Sequence, residues 1–277
     1  MNRPVESKIT LNQELATDNM IGIFDSGIGG LSVTADILKM MPFEEISYIA
    51  DTKYIPYGTK ATDELIERSL KISDFFIRQQ CKAIVVACNT ATSAAIEILR
   101  QTFDVPIVGI EPAVKPAAGK TKNGIIGVLA TENTLSGGKL LALRERHAKD
   151  VEVIYRACPG LVEAIENGID NEITIEQIIT PHISFLKENR ADTIVLGCTH
   201  YPLVKSLIER VSGKEIVVID PSPAVATEVK RQLDLKNLLR SSGAPSHVFA
   251  QTGNNDYFQQ IISSRLGLET VPIRIEV

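Results

Sequence analysis

Two cysteines of this chain stand in the same local setting. Cys88 lies in Val86-Ala-Cys-Asn-Thr90 and Cys198 in Leu196-Gly-Cys-Thr-His200, each where a buried-looking apolar run ends and polar residues open a helical stretch. A thiol at a helix N-terminus feels the positive end of the dipole, which favours the thiolate and makes it a candidate acid or base. A lone cysteine often simply packs, because free Cys is among the most buried residue types. Two in matching surroundings argue instead for chemistry. Cys81, at the end of a helical stretch, and Cys158, just before Pro159, lack that setting and are read as packing residues. No close CxxC pair exists, so neither a disulfide framework nor a zinc knuckle is expected.

Other candidates cluster around the same kind of turn. Asp25-Ser26-Gly27-Ile28-Gly29-Gly30 follows the first apolar run, and its glycines leave backbone N–H groups free to approach a carboxylate or phosphate. It satisfies neither GxGxxG nor the P-loop pattern, so a nucleotide loop is poorly supported. Asp25 can orient an amino group, take part in proton transfer or cap a helix; the local sequence leaves these open. Tyr54-Ile55-Pro56-Tyr57-Gly58-Thr59 reads as a loop rich in donors. His200 stands two residues from Cys198 as a partner for that thiol, whereas His147, His182 and His247 have no evident companion. No HExxH and no spaced His pair occurs, so no metal site is expected. Two opposed thiols suit one task well: one base removes a weakly acidic C–H proton from one face of a carbon and an acid returns a proton to the other. Hydrogen bonds and desolvation would have to stabilise the carbanionic transition state.

The elements that position these residues follow from apolar patterning. Short β-rich runs at 20–24, 46–50, 83–87, 125–130, 151–155, 193–197, 215–219 and 247–250 alternate with helical stretches at 29–41, 62–80, 90–101, 160–167, 173–189, 202–211 and 222–234. The runs are continuously apolar, which predicts mostly parallel sheets covered by helices on both faces. An internal repeat is also visible. Gly22-Ile-Phe-Asp-Ser-Gly matches Gly127-Val-Leu-Ala-Thr-Glu, Ala83-Ile-Val-Val-Ala-Cys matches Thr193-Ile-Val-Leu-Gly-Cys, and Pro106-Ile-Val-Gly-Ile-Glu matches Ile216-Val-Val-Ile-Asp. Three matches in one order, roughly 105 to 110 positions apart, predict an α/β fold of two pseudo-symmetric lobes with the site in the cleft between them. The lobes are expected at 20–113 with 222–277, and at 114–221, after a flexible N-terminal extension, 1–19.

Composition fits this reading. The 277 residues are 44% hydrophobic and 23% charged, with 29 Lys+Arg against 34 Asp+Glu and a net charge of −5. No concentrated basic footprint marks a nucleic-acid partner, and no apolar run approaches the roughly 18 residues of a membrane span. The first residues contain no apolar segment of the kind a secretion signal needs, so a cytoplasmic location is expected.

Taken together, Phe24-Asp-Ser-Gly-Ile-Gly-Gly-Leu31, Pro56-Tyr-Gly58, Val86-Ala-Cys-Asn-Thr-Ala91, Gly127-Val-Leu-Ala-Thr131 and Leu196-Gly-Cys-Thr-His-Tyr-Pro202 closely resemble the motifs of bacterial glutamate racemases, within the cofactor-independent aspartate/glutamate racemase superfamily. The resemblance spans roughly residues 20–235. It implies that Cys88 and Cys198 are the catalytic thiols, one thiolate and one thiol, with Asp25 and His200 assisting them respectively. It further implies that Asp25, Ser26, Tyr57, Gly58, Asn89, Thr90, Thr199 and His200 hold the substrate. The family has an acidic residue on the helix after a Cys-Pro turn, here Glu166, with Glu163 as the alternative. Also implied are L- and D-glutamate as ligands, supply of D-glutamate to peptidoglycan, a homodimer, and no pyridoxal phosphate, flavin or metal. The N-terminal extension resembles that of Gram-negative relatives activated by a nucleotide-linked muramoyl precursor, which adds such an activator to the expectations. Aspartate as substrate, a non-catalytic binding module and thiol redox work are the competing readings.

Overall fold

The computed structural model describes residues 19–136 and 138–277. The extension expected over 1–19 therefore lies outside the described residues, apart from Asn19. In chain order the strands are β1 (Ile21–Asp25), β2 (Ile46–Ala50), β3 (Ala83–Val86), β4 (Ile107–Gly109), β5 (Ile125–Ala130), β6 (Glu152–Ala157), β7 (Thr193–Gly197), β8 (Val217–Ile219), β9 (His247–Gln251) and β10 (Ile273–Arg274). The helices are α1 (Leu31–Met40), α2 (Thr62–Arg78), α3 (Asn89–Thr102), α4 (Val114–Ala118), α5 (Glu132–Ser136), α6 (Gly138–His147), α7 (Leu161–Glu166), α8 (Glu172–Glu188), α9 (Lys205–Ser212), α10 (Ser222–Leu235) and α11 (Phe258–Leu266).

Two sheets result, with strand orders β10-β9-β2-β1-β3-β4 and β6-β5-β7-β8. Every pairing is parallel. When β5–β8 are read as a second β1–β4, the two orders coincide, so the sequence repeat is a repeat of topology. The correspondence extends to helices: α2 and α8, each of 17 residues, follow equivalent strands. Both sheets are sandwiched by apolar side chains. Ile21, Ile23, Leu129, Ile194 and Leu196 share one core with Ile37, Ile179, Val229 and Ile261, while Phe24, Ile84 and Val86 face Phe76 and Ile96 in a second. This two-sided burial is what the unbroken apolar runs encode. In each sheet the order reverses at the first strand of the repeat, and the crevice at the carboxyl ends of the strands flanking such a switch point is where open α/β sheets bind ligands.

The expected elements lie within one to two residues of those observed, with one exception. The stretch 202–211 divides into a 3-10 turn, Tyr201–Val204, and α9. The three-residue strand β4, visible beforehand only as a segment of the repeat, the helices α4, α5, α6 and α11 and the edge strand β10 fall outside the expected set. Among the described residues no helix is long and apolar enough to cross a membrane.

The repeat also dictates two close approaches. A Cβ built on Gly22 in β1 would lie 2.6 Å from Phe76 Cγ of α2, and one on Gly127 in β5 would lie 2.6 Å from Leu186 Cδ1 of α8. Glycine at both positions lets a long helix sit directly on the first strand. Gly22→Ala is expected to cost about 1–3 kcal/mol of unfolding free energy in urea titrations, the usual range for overpacking. Gly127→Ala is expected to cost less, because a terminal methyl yields more easily than a ring carbon beside the backbone; equal stability of both variants with the parent would contradict this packing.

Candidate active site

The two thiols open onto one cavity of about 100 Å³, walled by Ser26, Tyr57, Gly58, Cys88, Asn89 and Thr90 on one side and by Thr131, Cys158, Glu163, Cys198, Thr199 and His200 on the other. The cavity sits where the carboxyl ends of the two sheets meet. The sequence-derived site residues are thus brought together, with two refinements. Asp25 and Glu166 do not line the wall. Each reaches it through a residue that does: Asp25 Oδ2 accepts from Thr199 Oγ1 at 2.9 Å, and Glu166 Oε1 meets His200 Nε2 at 2.6 Å.

The two thiols are held differently. Cys88 is the N-cap of α3, and its Sγ accepts from the Ala91 backbone N–H at 3.5 Å. Burial and the nearby Asp25 push its pKa up, and the amides of Ala91 and Thr90 offset this only in part. The sequence-based expectation that the helix end favours the thiolate is therefore corrected for Cys88: loss of solvation outweighs the dipole. A thiolate formed there is correspondingly a stronger base towards a weakly acidic C–H. Cys198 does not cap an α-helix, since the short 3-10 turn intervenes. Its Sγ instead lies 3.8 Å from His200 Nδ1.

His200 is buried and bridges Cys198 to Glu166. Burial alone would lower its pKa, but hydrogen bonds to Cys198 and Glu166 and the charge of Glu166 raise it well above the ordinary histidine value. Glu166 Oε1 also accepts from the Ile28 backbone N–H at 2.8 Å, so it ties the glycine-rich loop after β1 to the loop after β7. Gly27 is required there, because a Cβ would fall 1.9 Å from Glu166 Oε1. The same loop is held by Asp25 Oδ1, which accepts from Gly27 N at 2.9 Å, and by buried Tyr48, whose hydroxyl donates to Gly27 O at 2.7 Å. Burial raises the pKa of Asp25 against the pull of His200 and of its donors, the Gly27 N–H and the Thr199 hydroxyl. Of the two acidic candidates on α7, Glu166 is the one on His200, whereas Glu163 is exposed at the cavity wall.

Tyr57 is positioned by a buried charge network. Its hydroxyl donates to Asp51 Oδ2 at 2.5 Å, and Arg68 grips both oxygens of Asp51, with Nε to Oδ2 at 3.0 Å and Nη2 to Oδ1 at 2.8 Å. Asn133 Nδ2 donates to the carbonyls of Tyr57 and Lys60 at 3.1 and 2.8 Å, bracing this loop against α5. Thr90, Thr131 and Thr134 form a hydroxyl triangle with sides of 2.9 to 3.3 Å. Asn89 differs from all of these: it is buried, yet neither Nδ2 nor Oδ1 has a partner in the protein. A buried amide left with donor and acceptor free on a cavity wall is suited to a ligand carrying both kinds of group.

Sequence reasoning missed several wall residues, Thr131 and Cys158 among them. Thr131 was detectable as the repeat mate of Ser26, which also lines the cavity. Cys158 was read as a packing residue, but it too lines the cavity; burial raises its pKa to about 12. Cys81 is buried in the second core. His182 has a companion after all, since its Nδ1 accepts from Arg156 Nε at 3.1 Å. Among the described residues no group of three or more His, Cys, Asp and Glu converges as a metal cluster.

Residues 21–229 match the family described as Asp/Glu/Hydantoin racemase. The chain belongs to that family. It is 46% identical over 246 residues to the glutamate racemase of Pseudomonas syringae pv. tomato, covering 88% of this chain and 90% of that one. Among solved structures, glutamate racemase from Bacillus anthracis superposes with a TM-score of 0.85 at 32% identity, covering 94% of this chain and 98% of that one. Escherichia coli glutamate racemase in complex with L-glutamate and the activator UDP-MurNAc-ala superposes with a TM-score of 0.79 at 30% identity, covering 93% and 98%. As in these racemases, the present family member consists of two parallel sheets flanked by helices.

The histidine's environment yields a direct test. Its pKa is raised in the folded state, so the stabilisation from protonated His200 is complete below the ordinary histidine value and is lost as pH rises through the raised one. Glu166→Gln removes the charge and is expected to lower the His200 titration midpoint, followed by NMR of the ring protons, by roughly 1–3 units. An unmoved midpoint would mean that Glu166 does not set the state of His200.

Proposed function

We propose that the protein interconverts L- and D-glutamate by proton transfer between two thiols at the α-carbon. The observation that carries this reading is that Cys88 and Cys198, each with its own supporting groups, face one cavity beside an unpartnered buried amide. Glutamate fits the polar wall: its ammonium can donate to the amide oxygen of Asn89 and the hydroxyl oxygens of Ser26, Thr90, Thr131 and Thr199, and its two carboxylates can accept from the amide N–H of Asn89 and from the hydroxyls.

In the forward step the thiolate of one cysteine takes the α-proton. The C–H bond breaks, its electron pair stays on carbon, and an S–H bond forms. The opposite thiol then gives its proton to the other face, leaving a thiolate, so the enzyme ends each turnover with the roles of its cysteines exchanged. Burial supplies a dry cavity in which the donors around the α-carboxylate stabilise the developing charge. Holding both thiols in line with the carbon supplies a further share of the rate. Asp25, through Thr199, and Glu166, through His200, act one contact removed from the substrate. No pyridoxal phosphate, flavin or metal enters the scheme.

The reading extends to the cell and to regulation. D-glutamate is a peptidoglycan building block, so the enzyme serves cell-wall synthesis, in the cytoplasm and as a homodimer. The lobes divide at 113/114 and 221/222, following the sheet to which each strand belongs. A UDP-linked muramoyl precursor of the kind bound by the Escherichia coli relative acts as activator; equal turnover with and without it would remove that part of the proposal.

Proton NMR in D2O tests the reaction without added cofactor. L-Glutamate is expected to lose its α-proton signal while D-glutamate accumulates, and L-aspartate to react far more slowly because its shorter chain misplaces the distal carboxylate. Cys88→Ser and Cys198→Ser are each expected to abolish racemisation. Asn89→Ala is expected to raise KM about tenfold or more through loss of a hydrogen bond to a charged group. Persistent α-proton signal in every tube, the precursor-supplied one included, would bring the binding-module reading forward.

A further inference from the structure

Asn255 lies in the turn between β9 and α11, outside every motif named above. Its amide orientation is settled by the backbone: Oδ1 accepts from Tyr257 N–H at 2.8 Å, which leaves Nδ2 facing Glu166. There Nδ2 donates to the carboxylate Oε2 and, at 3.3 Å, to the main-chain carbonyl of the same residue. The turn is itself anchored, because buried Gln251 at the end of β9 accepts from Asn255 N–H through Oε1 at 2.7 Å. A residue carried by the six-stranded sheet thus grips a carboxylate on α7, beside the four-stranded one.

This contact bears on the proton inventory of the site. Glu166 receives Nδ2–H of Asn255 on one oxygen and the Ile28 N–H on the other, and both groups can only donate. A carboxyl group whose two oxygens both accept from such donors turns only lone pairs towards its next neighbour. Its remaining neighbour, His200 Nε2, must then carry a proton and donate it. That fixes the tautomer: when the ring is neutral, Nδ1 is bare and faces Cys198 Sγ as an acceptor, and when the ring is protonated, Nδ1–H donates to the sulfur.

We propose that Asn255 is a positioning residue for Cys198, locking Glu166 as an aimed, acceptor-only carboxylate and so fixing the His200 tautomer presented to the thiol. The proposal rests on the racemase reading for its kinetic consequence but not for its structural one. Besides His200, the titratable groups within reach of Glu166 are Asp25 at the end of β1 and Tyr48 in β2, and the charge of Glu166 raises the pKa of both.

Two variants separate positioning from mere structure. Asn255→Ala removes the donor. Asn255→Asp keeps the side-chain shape and the acceptor for Tyr257 N–H but sets a second carboxylate against Glu166. Kinetics in both directions with glutamate and 2-deuterioglutamate are expected to show kcat lowered roughly tenfold or more in Asn255→Ala, the size expected for losing a hydrogen bond to a charged group. The primary isotope effect should rise only for the enantiomer whose α-proton goes to Cys198, because only that base is weakened. Asn255→Asp should lose more than Asn255→Ala at high pH and recover towards wild type as pH falls, since a proton shared between the two carboxyls restores a donor. In parallel, ring nitrogen chemical shifts recorded at a pH high enough to leave the ring neutral should report His200 with Nε2–H in the wild type and a mixed tautomer in Asn255→Ala. The proposal is overturned if Asn255→Asp is the milder variant at every pH, if the isotope effect changes equally for both enantiomers, or if the His200 tautomer is the same in all three proteins. Absence of α-proton exchange in the wild type would sink the racemase reading instead, and the nitrogen shifts would still decide the lock.

Discussion

One carboxylate holds the catalytic cleft of this protein together. Glu166 takes hydrogen bonds from the Ile28 backbone, His200 and Asn255, which belong to three segments distant in sequence and carried by both sheets. Charge-assisted bonds of this kind are about twice as strong as neutral ones, and in a dry setting each donor must be matched or it costs free energy. The loop after β1, the loop after β7 and the turn after β9 consequently have little freedom to move independently. The glycine at position 27 is a direct consequence, since any side chain there would occupy the place of the carboxylate.

Around this anchor the molecule is nearly, but not fully, two-fold. Strand order, the paired glycines at 22 and 127, the paired 17-residue helices and the paired cysteines all repeat. The supporting groups do not. Cys88 has a helix N-terminus beneath it and Asp25 nearby, whereas Cys198 has a histidine backed by a carboxylate. In the repeat, Asp25 corresponds to Ala130 and Thr90 to His200. A reaction that inverts a carbon needs a base on each face, which a symmetric frame can present, while the two faces of glutamate are not equivalent and neither are the groups beside the two cysteines.

Burial is the second recurring influence. It raises the pKa of Asp25 and of Cys88 and opposes the rise at His200, where specific partners win. The same dryness makes the free amide of Asn89 conspicuous, because buried polar groups without partners are few in folded proteins. The site is thus a small volume in which nearly every polar atom is committed to the scaffold except those facing the cavity.

What the sequence determined by itself was local and repetitive. Unbroken apolar runs specify strands covered on both faces, strand-end turns carry Cys88 and Cys198, and the internal repeat pairs β1–β4 with β5–β8. These features are encoded over a few residues each, or by comparison of one half of the chain with the other, so they survive without knowledge of packing. Cys158 shows the limit: nothing in Ala157-Cys-Pro159 distinguishes a core thiol from one on a cavity wall. Only the tertiary structure decided that Glu166 and not Glu163 meets His200, that Asp25 is hydrogen-bonded to Thr199, that burial overrides the helix dipole at Cys88, and that Asn255 reaches Glu166. Each of these depends on how loops separated by tens to hundreds of residues come together when the two sheets pack, and on how much water that packing removes. Neither quantity is written in any local pattern.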